Sequence, residues 1–250
     1  MYPDVVELRE FYESEAGLNV RDLIRERLKR FWPGVAGMRV AGLGFSTPYL
    51  RIFLQEAERL AACMPAQQGV TWWPREGPNR TCLSEENTLP FPDQAFDRIL
   101  LMHALENTEH ISGLLEEAWR VLAPGGRMIA VVPNRGGLWA HPSKSPFGFG
   151  FSFSLPQLKR ILTNNRFQVE RVARAAFLPP FAARFMPGPS DWVERQGERW
   201  LPALAGVLIV EVSKQIYAKT PREKVRITRP ALLPLPKLVE PTATRAGESA

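Results

Sequence analysis

The chain has 250 residues, 45% of them hydrophobic, with 32 Lys and Arg against 26 Asp and Glu for a net charge of +6. This is enough apolar content to bury a sizeable core. It excludes a bilayer-spanning helix, since the apolar run Gly206–Val212 is far too short. Two cysteines, Cys63 and Cys82, and three histidines give no metal-ligand spacing. No metal site is expected, and both thiols read as reduced and structural. The charged opening MYPDVVELREFYESE lacks an apolar signal core, so a cytoplasmic location is expected.

Val5–Glu13 and Val20–Phe31 read as two leading helices. Asn19 is placed to cap the second, and Leu23, Ile24, Leu28 and Phe31 form its apolar face. Met38–Gly44 reads as a first strand entering a tight turn, with a helix over Tyr49–Leu60 and a second strand over Leu60–Met64. Arg98–Met102 is a buried-strand pattern after Phe96-Asp97. Thr108 is placed to cap a helix whose apolar positions, Ile111, Leu114, Leu115, Ala118, Trp119 and Leu122, follow a helical period. Pro124-Gly125-Gly126 stops that helix in a tight reversal. Met128–Val132 is continuously apolar, as in a strand covered on both faces. A strand–helix–strand unit of this length is a parallel crossover, so the fold class is α/β with a doubly wound, mostly parallel sheet.

Next comes Pro146–Ser154, in which Phe147, Phe149, Phe151 and Phe153 alternate with Gly or Ser. In an extended chain all four rings project on one side. Two readings stand: a lid or a patch for an apolar substrate or a protein partner, and a loop whose rings fill a gap beside the sheet. Ser154, Pro156 and Gln157 then open another helix with a capping box. Residues 174–205 are rich in Pro, Phe and Trp, with Ser190 placed to cap a helix through Trp200. They form either a substrate-shaping insertion or a covering layer. Val207–Val212 is a late strand.

Beyond Ala218 the character changes. Residues 219–250 hold seven Lys and Arg against three Asp and Glu, and so most of the net positive charge, and five prolines interrupt them. They read as a basic, Pro-rich tail. Its apolar stretch Leu232–Val239 suits docking on the body or on a protein partner. Basic residues without interleaved aromatics are a thin signal for nucleic acid.

The order Leu89-Pro90-Phe91, Phe96-Asp97, Arg120-Val121-Leu122 and Pro124-Gly125-Gly126 resembles the class I S-adenosylmethionine-dependent methyltransferases, in particular the methyltransferase-11-like group. The resemblance covers roughly residues 38–134. It implies a Rossmann-like, seven-stranded sheet with N-terminal helices and an antiparallel edge. It divides 1–218 into a helical cap (1–37), a cofactor half (38–134) and an aromatic-rich substrate half (135–218).

The resemblance also implies S-adenosylmethionine as cofactor and a small-molecule acceptor, and it marks where this chain departs. The family carries an acid, then three alternating glycines, after its first strand. Here Gly42 stands at the acid's place, Gly44 keeps the first glycine, and Ser46 and Pro48 take the others, with Thr47 between. The acid that holds the ribose after strand two is missing, and Gln67 is the substitute. Glu85 stands where the adenine-contacting acid is expected. Residues just past strands one, four and five face the ligand in such sheets. They give His103 and Glu106 as candidate general bases, His103 also touching the cofactor, and Asn134 and Arg135, with Phe149 and Phe151, as substrate residues. The rival expectation is a non-catalytic protein that kept the fold, lost the cofactor and serves a partner.

Overall fold

The computed structural model describes residues 3–140, 145–178 and 191–215. Residues 1–216 form one compact unit; the second, 217–250, contains the predicted tail and lies outside the described residues, as does Ser190.

Helices α1 (Val5–Glu13) and α2 (Glu15–Phe31) precede the sheet. Ser14 ends the first and caps the second, its Oγ accepting from Gly17 N at 3.2 Å. The predicted cap, Asn19, therefore lies inside α2. Gly17 lets the helices meet: a Cβ there would lie 1.9 Å from the Phe11 carbonyl oxygen.

Seven strands follow: β1 (Arg39–Gly44), β2 (Arg59–Pro65), β3 (Thr81–Ser84), β4 (Phe96–Met102), β5 (Leu122–Pro133), β6 (Gln168–Ala175) and β7 (Val207–Ser213). Their order is β3-β2-β1-β4-β5-β7-β6. The first five neighbours pair in parallel; β7 runs antiparallel to both β5 and β6. This is the mostly parallel sheet with an antiparallel edge that the sequence implied.

Helix α3 (Thr47–Leu50) and a turn of 3-10 helix (Arg51–Phe53) replace the longer helix expected over Tyr49–Leu60. Helix α4 (Ile111–Val121) starts after His110, so Thr108 is not its cap; the Thr108 hydroxyl accepts from His110 N just before it. Strand β5 is longer than the apolar run, and the Pro-Gly-Gly stretch falls at a register irregularity against β4, with Gly125 at φ +71°. Helix α5 (Leu155–Asn164) is capped by Ser154 as expected. Helix α6 (Asp191–Trp200) docks on β6: Glu194 accepts from the backbone N–H groups of Ala176 and Phe177.

Alternating strand residues feed two apolar layers. Val40, Ala62, Met64, Leu100, Ile129 and Ile209 face α1, α2 and α3. Ala41, Leu43, Ile99, Leu101, Met128 and Val210 face α4 and α5. This two-sided cover explains the continuous apolar runs. The four phenylalanines do not share a side. Phe147 is buried in the first layer and Phe153 in the second, while Phe149 and Phe151 are 50% and 63% exposed. The short 3-10 turn Pro146–Gly148 and Gly150 at φ +72° break the extended alternation.

Candidate cofactor cleft and the buried histidine

The strand order reverses at β1, which lies between β2 and β4. Open α/β sheets bind ligands outside the carboxyl ends of their strands at such a reversal. There the structure has a narrow apolar recess of about 10 Å³, walled by Gly44, Met64, Pro65, Glu85, Leu89 and Ala104 among others. A wider cleft of about 250 Å³ shares Pro65, Glu85 and Glu86 with it and reaches Gln67 and His110.

Gly44 takes φ +78°, and a Cβ on it would lie 2.3 Å from the Met102 carbonyl oxygen. Backbone packing between β1 and β4 thus demands glycine here, whatever the ligand. At Gly42 the added Cβ would lie 2.0 Å from Ser46 Oγ, so the serine side chain fills the space the family gives to its acid. Ser46 is fully buried and its hydroxyl has no hydrogen-bond partner. Thr47 is buried beside it. Pro48 sits in the first turn of α3, where a missing N–H costs nothing. Its carbonyl accepts from Arg25 Nε at 3.0 Å and Nη2 at 2.5 Å, which pins the loop to α2.

The side chain after β4 is the most enclosed. His103 has φ +53° and is wholly buried. Its Nε2 lies 2.7 Å from the Tyr12 hydroxyl and its Nδ1 3.0 Å from Glu106 Oε1. Tyr49 donates to the Tyr12 oxygen at 2.9 Å. The direction of that bond leaves Tyr12 to donate to Nε2, and hence Nδ1–H to donate to Glu106. Burial first, then the neighbouring Tyr49 and Glu106, hold the Tyr12 hydroxyl well above its usual value, so it stays protonated. Burial raises Tyr49 as well. The second Glu106 oxygen and Asn107 Oδ1 are buried without partners. Phe45 stacks on Tyr12, and Phe147 packs against the His103 ring at 4.9 Å.

Of the residues anticipated from sequence, Gly44 and Glu85 share the recess, and Gln67 joins Glu85 in the wider cleft, both exposed. His103 and Glu106 form one bonded pair. Asn134 is committed elsewhere: its Nδ2 donates to the carbonyls of Ala203 and Ala205. Arg135 binds the Ser152 carbonyl and Gln157. Phe149 and Phe151 flank Gly150, whose Cβ position lies 2.2 Å from the Glu106 carbonyl oxygen, and Phe151 N donates to that oxygen. Tyr12 and Tyr49, which continue the hydrogen-bond chain from His103, carried no sequence signal, because long-range packing alone brings them there. Among the described residues, no group of three or more His, Cys, Asp or Glu side chains is arranged to hold a metal ion, and no helix is long and apolar enough to cross a membrane.

The sheet order, the flanking helices and the cleft at the strand reversal define a class I methyltransferase fold. Residues 40–130 match the family model described as a methyltransferase domain. Demethylmenaquinone methyltransferase of Tropheryma whipplei is 30% identical over 132 residues, 52% of this chain and 46% of the relative. The ubiquinone/menaquinone biosynthesis C-methyltransferase of Desulfotalea psychrophila is 31% identical over 128 residues, 50% of this chain and 43% of the relative. The chain thus spans less than half the length of these relatives. Among solved structures, an S-adenosylmethionine-dependent methyltransferase from Thermotoga maritima superposes with a TM-score of 0.61 at 14% identity, covering 84% of this chain and 96% of its own. One from Mesorhizobium loti gives 0.55 at 14% identity, with 75% and 96% covered.

Proposed function

We propose that this chain is an S-adenosylmethionine-dependent methyltransferase acting on a small apolar or aromatic acceptor. The observation that carries the reading is the cleft at the strand reversal, where an exposed carboxylate, Glu85, stands between it and the apolar recess beside Gly44. The residues present suit the cofactor. Met64 and Leu89 offer apolar walls for a purine, and Glu85 an acceptor for its amino group. Gln67 takes the ribose position with a neutral amide, a weaker partner than a carboxylate. Ser46 is fully buried against Gly42 and lines neither the recess nor the cleft, so its hydroxyl is not among the groups offered to the cofactor.

When bound, S-adenosylmethionine supplies an activated methyl group. The chain's own task is then chiefly alignment of the acceptor. Exposed Phe149 and Phe151 beside the Glu106 backbone offer it an aromatic surface. The named activities of the quinone-methylating relatives favour an acceptor of that chemistry. His103 and Glu106 are the groups suited to taking a proton from it. Glu106 holds the Nδ1–H tautomer. Because Tyr12 donates to Nε2, His103 accepts a proton only once α1 has moved Tyr12 aside.

The test is incubation with methyl-labelled cofactor and a demethylated quinol. Label in the quinol, lost in a His103→Gln variant that still binds cofactor, supports the reading. Binding of cofactor with no transfer to quinols removes that acceptor class.

A further inference from the structure

Cys63 on β2 and Cys82 on β3 are direct register partners in a parallel pair. Both side chains join the apolar layer against α4, so they leave the sheet on the same face. Both are free thiols; Cys63 is buried and lines the recess, and Cys82 is partly open to solvent. Adjacent strands lie about 4.8 Å apart, inside the Cα window for a disulfide of about 4.4–6.8 Å. At that spacing in-register Cβ atoms stand somewhat beyond the disulfide range of about 3.5–4.5 Å, so a bond here draws the two strands together. Strand β3 has four residues and a single neighbour at the sheet edge, which leaves it free to shift toward β2.

We propose that Cys63 and Cys82 form a reversible dithiol–disulfide site whose oxidation moves the rim of the recess. Cys82 is the more exposed of the two, and its neighbour Cys63 holds its thiol below the usual value, so Cys82 is the attacking sulfur. The oxidant is a low-molecular-weight disulfide. The Cys82 thiolate attacks one of its sulfurs, breaks the S–S bond and expels one thiolate. Cys63 then loses its proton and attacks the Cys82 sulfur of the mixed disulfide, expelling the second. The two cysteines lose two electrons, the reagent is reduced to two thiols, and the two cysteine protons go to the departing thiolates. Ser84 and Glu85, two and three residues on from Cys82, line the recess, so they move with β3.

The site does not rest on the methyltransferase reading, and its test needs no cofactor. The full chain is treated with oxidised glutathione, digested without reductant and mapped by mass spectrometry. The expected result is a Cys63–Cys82 linked peptide that dithiothreitol removes, with changed amide hydrogen exchange at residues 83–86. A Cys63→Ser variant should stop at a glutathione adduct on Cys82, and Cys82→Ser should take none. A native protein that stops at the adduct, or that forms the bond only in denaturant, overturns the proposal. Bond formation with unchanged exchange at 83–86 overturns the coupling to the recess.

Discussion

Ser46 Oγ occupies the space that a Cβ on Gly42 would need, 2.0 Å away. An acid at 42 and a side chain at 46 exclude each other, so the two departures from the family pattern are one exchange. Gly42→Asp alone should destabilise the fold by roughly 1–3 kcal/mol through overpacking against Ser46 and Leu50. Adding Ser46→Gly should recover most of that loss. Urea unfolding of the single and double variants measures the coupling, and additive losses would mean that the two positions are independent.

Gly44→Ala meets a harder limit, because φ is +78° and the Met102 carbonyl oxygen lies 2.3 Å from the new Cβ. The loss should be at least about 1–3 kcal/mol. A thermal melt that matches the native chain would show that the loop relaxes without cost.

Tyr12→Phe removes the donor to His103 Nε2 and leaves a buried acceptor unpaired. The expected cost is about 1–3 kcal/mol. Tyr49→Phe removes one donor from a tyrosine that keeps its bond to His103, and should cost less. Chemical denaturation of both variants gives the order, and a larger loss for Tyr49→Phe would contradict the direction assigned to this chain of hydrogen bonds.

Asp97 receives Arg39 Nε, Nη2 and backbone N–H, and its carboxyl is held below the usual range, first by the hydrogen bond to Arg39. The folded value lies below the unfolded one. The contribution is therefore complete above the unfolded pKa, about 3.9, and is lost as pH falls through the folded value. Asp97→Asn should flatten the acid limb of a stability–pH curve and leave its slope near neutrality unchanged. An unchanged acid limb would show that the pair contributes nothing.

The strand–helix–strand unit from β4 to β5 was legible because both faces of the sheet are covered, which turns each strand into an apolar run, and because α4 keeps one apolar side. The start of α2 was not. Gly17 and Asn19 look like a break in sequence, and only the close approach of Phe11 shows why glycine is wanted inside the helix. The helix after Gly44 was overextended, since nothing local shows that the chain turns at Phe53 toward Ala57. His103 was found by its place after β4. Its partner Tyr12, far back in the N-terminal helix, was hidden because no periodicity encodes a contact between α1 and a strand end. The pairing of Cys63 with Cys82 likewise exists only in the sheet register.

Calorimetric titration with S-adenosylhomocysteine, the demethylated product of the cofactor, decides whether the cleft at the strand reversal holds the cofactor. The account predicts saturable binding, with a melting temperature that rises with ligand, since a hundredfold excess over Kd stabilises the native state by about 2.7 kcal/mol. Binding should be weakened in Glu85→Ala, which removes the carboxylate shared by the recess and the cleft. No heat and no thermal shift at millimolar ligand would contradict the account and leave a methyltransferase fold that no longer holds its cofactor.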